Sequence, residues 1–197
     1  MLWLPPEFKP FRFYRFAELR KFSATNPDYL APPHGENLFG VLLTNKDLRE
    51  LIGEIFAKFN LKLVLHPREE RMEIQEEKRG IAIAYPYFTV SDTLRRLLFH
   101  LAAIKTAKKS VLIFEEPEAH AFPFYSKYLA ELIAGDENNQ YFISTHNPVF
   151  LLTLVEKTPK EEVQALQVYW ENHQTKVRIL ELKKILEADY DIFFELQ

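Results

Sequence analysis

The stretch Val111–Pro123 reads Val-Leu-Ile-Phe-Glu-Glu-Pro-Glu-Ala-His-Ala-Phe-Pro, and the rest of the predicted fold is arranged around it. Four large apolar residues in succession are typical of a strand buried on both faces, as in a parallel sheet. Two carboxylates follow the strand, and Pro117 then prevents further ladder pairing. Since ligands of open α/β sheets collect at the carboxyl ends of the strands, Glu115 and Glu116 lie where chemistry is expected.

A second stretch, Gln140–Pro148, repeats this layout as Gln-Tyr-Phe-Ile-Ser-Thr-His-Asn-Pro. Paired carboxylates after an apolar strand suit a nucleotide hydrolase, in which one acid holds a hydrated magnesium ion and the next activates water. A histidine at the end of a neighbouring strand, here His146, can reach a γ-phosphate and the attacking water. The residues by themselves also allow two solvated glutamates and a structural histidine.

The bulk composition is that of a soluble globular protein. The 197 residues are 47% hydrophobic and 27% charged, and the net charge of −3 gives no reason to expect non-specific binding to nucleic acid. The absence of cysteine excludes disulfides and thiolate metal sites. The first residues lack the pattern of a signal peptide, and no apolar run reaches membrane-spanning length. These features predict a cytoplasmic protein.

The first half of the chain is predicted to mix one helix with several strands. An edge strand is expected over residues 10–16, with its aromatic rings on a sheet and its basic side chains in water. An aromatic and basic surface for nucleic acid is the alternative. A capping-box variant, Thr44-Asn-Lys-Asp47, is expected to open a helix. Residues 61–66 and 71–85 alternate as strands do, and Gly80 indicates a turn between two antiparallel strands.

The second half alternates strands and helices. A helix is expected after Ser91 or Asp92, another from Pro123 to about Ile133 with Gly135 as its stop, and a third after Asn147-Pro148. Thr158-Pro-Lys-Glu161 is expected to be a second capping box. A hairpin (166–171 and 176–181) and a short helix near 182–189 complete the chain.

This alternation predicts an α/β fold, with a partly parallel sheet flanked by helices and with additional antiparallel strands. We expect a single domain over residues 1–197. Its regions would be an N-terminal strand and helix region (1–90), a core (91–157), and a C-terminal hairpin and helix (158–197).

Together the two strand-end motifs resemble ABC-type ATPases of the AAA group, relatives of the SMC and DNA-repair ATPases and of the OLD nucleases. The likeness runs from about residue 12 to residue 191 and implies the C-terminal part of a P-loop NTPase-like domain. It implies ATP and Mg²⁺ as cofactors. The residue roles it implies are Glu115 as the Walker B acid on the metal, Glu116 as the catalytic base, Glu118 and His120 in the D-loop, and His146 as the switch histidine.

Upstream stretches carry further likeness. Tyr87–Leu98 resembles the signature segment, with Ser91 as the residue that contacts nucleotide, and Tyr29–Leu38 is similar to a Pro-x-Gly-x-Asn-Leu stretch that precedes the signature in this family. The family's signature serine is followed by glycine. Here Asp92 follows, and its charge is expected to repel a phosphate.

The larger departure from the family is the Walker A loop, Gly-x4-Gly-Lys-Ser/Thr, whose backbone N–H groups and lysine hold the phosphates. Gly35 and Gly40 have the glycine spacing, but Val41-Leu42 follow instead of lysine and a hydroxyl residue. The sequence therefore predicts an ATPase portion without its phosphate loop. That loop would come from a preceding segment or a separate polypeptide, and a head-to-tail dimer is the expected assembly.

Two alternatives to an ATPase remain open at this point. The chain could be a catalytically inactive remnant that acts as a protein-interaction module. It could also be a metal-dependent hydrolase, although its candidate ligands lack the i, i+4 spacing of helix-borne sites. The ligands of such a site would be Glu115, Glu116, Glu118, His120 and His146. DNA binding is left open in all of these cases, and beyond the aromatic and basic stretch near the N-terminus no feature of the sequence supports it.

Overall fold

The computed structural model describes residues 10–25, 28–188 and 193. The chain divides into two compact units, Met1–His120 with Asn138–Ser144, and Ala121–Glu137 with Thr145–Gln197. A short 3₁₀ helix spans Tyr87–Thr89. The other elements are β1 (Phe11–Tyr14), α1 (Leu38–Thr44), α2 (Lys46–Ala57), β2 (Leu61–His66), β3 (Arg71–Lys78), β4 (Ile81–Pro86), α3 (Asp92–Thr106), β5 (Val111–Glu115), α4 (Pro123–Ala134), β6 (Gln140–Ser144), α5 (Pro148–Lys157), β7 (Ala165–Glu171), β8 (Gln174–Leu180) and α6 (Leu182–Ala188).

The first unit contains the parallel sheet that the sequence predicts. Its three strands lie in the order β1-β5-β6, so Val111–Glu115 forms the central strand. One face of this sheet carries Tyr14, Leu112 and Phe114, all fully buried. Phe99 of α3 packs edge-on against Tyr14, with the ring centroids 6.0 Å apart, so α3 covers this face. The predicted fold class is confirmed.

Strand β1 is an edge strand, but its side chains do not divide as expected. Phe11 and Phe13 are each 43% exposed, whereas the guanidinium of Arg12 lies 3.6 Å from the ring centroid of Tyr29. The expectation that the basic side chains face water holds for Arg15, whose side chain is 64% exposed, and is wrong for Arg12. The reason is that Arg12 shares the α3-covered face with Tyr14 and stacks on an aromatic ring there.

Helices α1 and α2 also belong to the first unit, and each has several buried apolar side chains. Asn45, not Thr44, is the N-cap of α2, because its side chain accepts a hydrogen bond from the Leu48 N–H at 2.9 Å. Thr44 ends α1, and its hydroxyl donates back to the Gly40 carbonyl. The predicted helix is present, but its start lies one residue later because Asn is also a strong cap.

Strands β2, β3 and β4 form a separate antiparallel sheet in the order β2-β3-β4. The turn between β3 and β4 contains Arg79 and Gly80, both with positive φ, as the sequence predicts for Gly80. All six residues of β4 are exposed.

The second unit contains α4, α5, α6 and the β7–β8 hairpin. Pro123 begins α4, Gly135 is its C-cap, and Asn147 caps α5 by accepting the Phe150 N–H at 3.0 Å, as predicted. No helix follows Thr158, which is instead the C-cap of α5, so the second capping box is wrong. The hairpin is present and leaves one apolar face exposed, formed by Leu166, Val168, Trp170, Val177 and Ile179.

None of the helices in the described part of the chain is long and apolar enough to cross a membrane.

Candidate functional site

The two apolar strands place their polar ends side by side, because β5 and β6 are parallel and in register. Glu115, the last residue of β5, lies opposite Ser144, the last residue of β6. The backbone N–H of Glu116 donates to the Ser144 carbonyl at 3.0 Å, which extends the ladder one residue beyond the strand. The position of Glu116 is therefore fixed by the sheet.

After the strand, the chain turns sharply. Glu116 has φ +42° and His120 has φ +59°, values that residues other than glycine adopt uncommonly. The Glu116 carbonyl accepts the Ala119 N–H at 3.0 Å, and the His120 carbonyl accepts the Thr93 hydroxyl at 3.0 Å. These bonds hold the segment Glu116–His120 as a turn anchored to the first helical turn of α3.

The carboxylates of this turn differ in environment. Glu115 and Glu116 are exposed, whereas Glu118 is only 4% exposed. Burying a carboxylate is costly, so Glu118 interacts within the protein rather than with solvent.

Arg15 is a residue of this region that the sequence alone did not indicate. Tyr14 pairs with Phe114 across β1 and β5, so Arg15 comes directly beside Glu115. Its Nε lies 3.3 Å from Glu115 Oε2. The only sequence signal was a basic residue directly after an apolar strand, which becomes informative once the pairing of the strands is known.

The signature-like segment is built around the start of α3. The Ser91 hydroxyl is the N-cap and accepts the Leu94 N–H at 3.4 Å. Asp92 Oδ2 accepts a hydrogen bond from Arg96 Nε at 2.6 Å, and Oδ1 lies 3.4 Å from a guanidinium nitrogen of Arg95. Arg95 also pairs with Glu18 at 3.0 Å. The negative charge of Asp92 is thus offset by two arginines, which weakens the repulsion expected for a nearby phosphate.

The stretch with Walker A-like glycine spacing has a structural role. Asn37, 3% exposed, accepts the Ala31 N–H at 2.6 Å and donates to the Tyr29 carbonyl at 3.1 Å. Gly35 has φ +72°, and Gly40 lies inside α1, where a Cβ would come 2.3 Å from the Thr25 carbonyl oxygen. These glycines permit a turn at Gly35 and close packing at Gly40.

His146 belongs to the second unit, two residues beyond the end of β6 in the chain. It is exposed and directly precedes Asn147, the N-cap of α5. The Asn147 N–H donates to the Thr145 hydroxyl at 3.0 Å, which fixes the backbone around the histidine. The imidazole ring centroid lies 6.4 Å from that of Phe193.

His100 on α3 is a histidine that the sequence analysis did not single out. It is buried, and its ring stands edge-on to Phe99 and Phe114 at centroid distances of 5.1 and 5.4 Å. Its Nδ1 lies 2.9 Å from the Arg96 carbonyl oxygen, which can only accept, so Nδ1 carries the proton. Burial lowers the pKa of His100 to about 4. This histidine is a neutral core residue.

Across the described residues, no three side chains of His, Cys, Asp or Glu come together in a way that could hold a metal ion. The acids and histidines considered for a metal-dependent hydrolase therefore gain no support from the described geometry.

Residues 20–152 of the 197 match the model of a protein family described as "AAA domain, putative AbiEii toxin, Type IV TA system". The chain belongs to this AAA domain family. The match includes the signature-like segment, both strand-end acids and His146. No curated protein matches the chain.

Solved structures similar to this AAA domain include an SMC ATPase and two SMC heads. One, from work on ATP-driven dimerization and DNA-stimulated activation of SMC ATPases, has a TM-score of 0.54 and 21% identity over 81% of this chain and 96% of its own. The SMC head of Pyrococcus yayanosii has a TM-score of 0.51 and 19% identity over 74% of this chain and 29% of its own.

A third structure, an SMC head bound to the C-terminal winged-helix domain of ScpA, has a TM-score of 0.50 and 18% identity over 77% of this chain and 51% of its own. At these identities the likeness shows the fold alone. The AAA domain therefore has the fold of an SMC-type ATPase head, as the resemblance in the sequence implies.

Proposed function

We propose that this AAA domain supplies the water-activating part of an ATP hydrolysis site and that a preceding segment or a separate polypeptide supplies the phosphate loop. The observation that carries the proposal is the pairing of Glu115 with Ser144 at the carboxyl ends of β5 and β6. This pairing puts two exposed acids at the edge of the parallel sheet where ligands bind.

The exposed carboxylate of Glu115 suits Mg²⁺, which prefers oxygen ligands. Magnesium bound to a nucleotide keeps several waters and takes only one or two protein carboxylates. Mg²⁺ would offset charge on the phosphates. The Arg15 guanidinium lies beside this carboxylate, so a bound Mg²⁺ would compete with it for the Glu115 oxygens.

Glu116 is proposed as the general base. Its backbone is fixed on one side by the Ser144 carbonyl and on the other by the Ala119 N–H, so its side chain projects from a defined point at the sheet edge. A carboxylate at this point can orient a water molecule and accept its proton.

Four further residues keep roles that rest on the family resemblance. His146 is proposed as the switch histidine that contacts the γ-phosphate, and Ser91 as the signature residue that faces nucleotide across a head-to-tail dimer. Glu118 and His120 are proposed for the D-loop. The hydrogen bond from Thr93 to the His120 carbonyl links this segment to the signature-like helix α3, so movement of one would affect the other.

The phosphate loop has to come from outside these 197 residues, since the sequence contains no Gly-x4-Gly-Lys-Ser/Thr. Backbone N–H groups and the lysine of that loop provide most of the binding energy for the phosphates. We therefore expect the isolated chain to bind ATP at millimolar concentration or not at all. The measurement is an isothermal titration of the purified chain with ATP and Mg²⁺. Micromolar affinity would contradict the proposal, because the phosphate-binding groups would then reside in this chain.

An inactive interaction module is the second candidate, and one observation favours it. Asp92 occupies the position of the signature glycine. Its side chain, held by Arg95 and Arg96, therefore stands at the helix start, where a glycine would leave room for a phosphate. If the chain is inactive, Glu116→Gln will change no property of the complex that contains it. If it is an ATPase, the same substitution will stop hydrolysis.

A further inference from the structure

Strand β4 is an outer strand of the β2-β3-β4 sheet. Arg79 and Gly80, the two residues between β3 and β4, both have positive φ, as in a tight two-residue hairpin turn. The residues that flank such a turn bond to each other, and the direction of the backbone groups then alternates along the strand. Ala82 and Ala84 therefore direct their N–H and C=O groups away from β3. Within the described parts of the chain, no strand pairs with that side of β4.

This edge lacks the features by which sheets usually avoid pairing with other strands. Those features are charged side chains, prolines and bulges along the edge. Strand β4 (Ile81–Pro86) contains no charged residue, and all of its residues are exposed. Its one proline, Pro86, is the last residue, so the outward N–H groups of Ala82 and Ala84 are retained. Strand β4 is therefore open to backbone pairing.

An apolar row accompanies the open edge. Ile81, Ile83 and Tyr85 alternate along β4 and so share one face of the sheet. Tyr85 lies opposite Ile74 of β3, which is buried on that face together with Met72. The three residues of β4 are 66%, 40% and 41% exposed. The row therefore continues the buried apolar face to the edge of the sheet, where it remains partly in water.

A second copy of β4 matches this edge in one antiparallel register, in which Ile83 lies opposite its counterpart. Ala82 of each copy then faces Ala84 of the other, and these pairs exchange all of the outward backbone hydrogen bonds of the alanines. On the apolar face, Ile81 of each copy faces Tyr85 of the other, and pairs of β-branched and aromatic residues stabilise sheets. Backbone and side chains thus specify the same register.

Other registers are less suitable. A shift of two residues in one direction places Pro86, which has no N–H, opposite Ala82. The same shift in the other direction places Arg79 of the turn opposite Tyr85. A shift of one residue puts the two apolar rows on opposite faces of the joined sheet. Only the register centred on Ile83 pairs the whole apolar row with itself.

Charge and area indicate how strong this pairing is. The cross-strand pairs contain no charged side chain, so two copies meet without repulsion between like charges. Strand β4 would bury roughly 400 Å² per copy, whereas a stable complex buries about 800 Å² per partner. We therefore expect a reversible dimer with a dissociation constant on the order of 10⁻⁵ to 10⁻⁴ M.

We propose that β4 is a self-association surface, on which two copies of the chain pair antiparallel about Ile83 and join their β2-β3-β4 sheets into one. Each copy presents the same patch to the other, as in a two-fold dimer. Backbone bonds along the edge give the contact its register, and the apolar row is buried by it. Glu115 ends a strand of a different sheet, and the pairing needs no nucleotide, so this surface goes beyond the proposed function.

A single cysteine at the two-fold position tests the register, since the chain has no cysteine of its own. Ile83→Cys would place two Cα atoms about 4.5 Å apart, within the range of a disulfide. The matched control Ile81→Cys is at a more exposed position, but its Cα would lie about 14 Å from its counterpart. In a glutathione buffer we expect Ile83→Cys to form the intermolecular disulfide about tenfold faster or more. Equal rates on non-reducing gels would overturn the register.

Sedimentation velocity of the full chain without nucleotide measures the association itself. We expect the native chain to form dimers between about 10 and 200 µM, and Ile83→Lys to stay monomeric because it places two ammonium groups opposite each other. Ile179→Lys, on the exposed face of the β7–β8 hairpin, is the matched control and should associate as the native chain does. Far-UV circular dichroism checks that all three proteins are folded.

Three results would overturn the proposal. The first is a native chain that stays monomeric at about 200 µM. The second is a dimer that Ile83→Lys retains. The third is a dimer that Ile179→Lys abolishes, because the hairpin would then be the associating surface. None of these results bears on ATP hydrolysis, so the proposed function is tested separately.

Discussion

Arg15 Nε lies 3.3 Å from Glu115 Oε2 at the carboxyl ends of two neighbouring parallel strands. The side chains are 64% and 48% exposed, so water screens the pair. A guanidinium therefore lies beside the acid to which we assign Mg²⁺, but it is held there weakly. This relationship allows Glu115 to remain paired in the absence of a metal and to be available to one.

Replacing Arg15 should have a small effect on folding. We expect Arg15→Gln to lower the free energy of unfolding by less than about 1 kcal/mol, because exposed ion pairs contribute little. Urea denaturation of the two proteins in low and high salt measures the difference. A loss of several kcal/mol would mean that Glu115 is committed to a structural pair and is a poor candidate for the metal.

Much of the central sheet could be predicted from the sequence because burial on both faces imposes an uninterrupted apolar run. Val111–Phe114 shows that pattern directly, and Asn147 and Gly135 mark helix ends by local chemistry. The Arg15–Glu115 pair could not be predicted. It depends on which strand lies beside β5 and in what register, and those are set by tertiary contacts.

The role of Gly40 can be tested by adding one methyl group. A Cβ at this position would lie 2.3 Å from the Thr25 carbonyl oxygen, so the backbone would have to move. We expect Gly40→Ala to lower the free energy of unfolding by about 2 kcal/mol or more. Thermal or urea denaturation is the measurement.

Gly53 provides the matched control for Gly40. It lies within α2, and a Cβ there would meet no atom within 4 Å. Gly53→Ala should therefore raise the free energy of unfolding by about 0.5–1 kcal/mol, since alanine restricts the unfolded chain and favours helix. If Gly40→Ala is equally stabilising, the close packing of α1 that we describe is incorrect.

His100 should make the stability of the fold depend on pH. Its pKa is lowered to about 4 in the folded state by burial, against about 6.5 when unfolded. Between these values the unfolded chain binds the additional proton, so stability is present above pH 6.5 and falls as the pH is lowered toward 4. The loss should reach roughly 3 kcal/mol.

The Gln variant isolates this contribution. His100→Gln keeps an N–H that can donate to the Arg96 carbonyl but does not titrate. We expect the native protein to lose more unfolding free energy than the variant does as the pH falls from 6.5 to 4. A difference that is constant over this range would show that His100 is not buried in its neutral form.

The sequence predicted the acids of the candidate site but not the side-chain pairs around them. Glu115 and Glu116 were found because carboxylates after a buried strand are a strong signal. The pairing of Asp92 with Arg95 and Arg96 was missed, because side chains one helical turn apart can interact or diverge. The burial of His100 was missed because a single histidine beside the apolar stripe of a helix can lie either in the core or in water.

The measurement that tests the central claim most directly is ATP hydrolysis by the complete complex, in which this chain is joined to, or bound by, the segment or polypeptide that carries the phosphate loop. Glu116→Gln in that complex should lower the rate of hydrolysis by about 10²-fold or more, the usual contribution of a general base, while the affinity for ATP stays within about threefold. Glu156→Gln, outside the proposed site, serves as the matched control and should hydrolyse ATP at the native rate. An unchanged rate in the Glu116→Gln complex would contradict the account, because the chain would then not supply the water-activating part of the site.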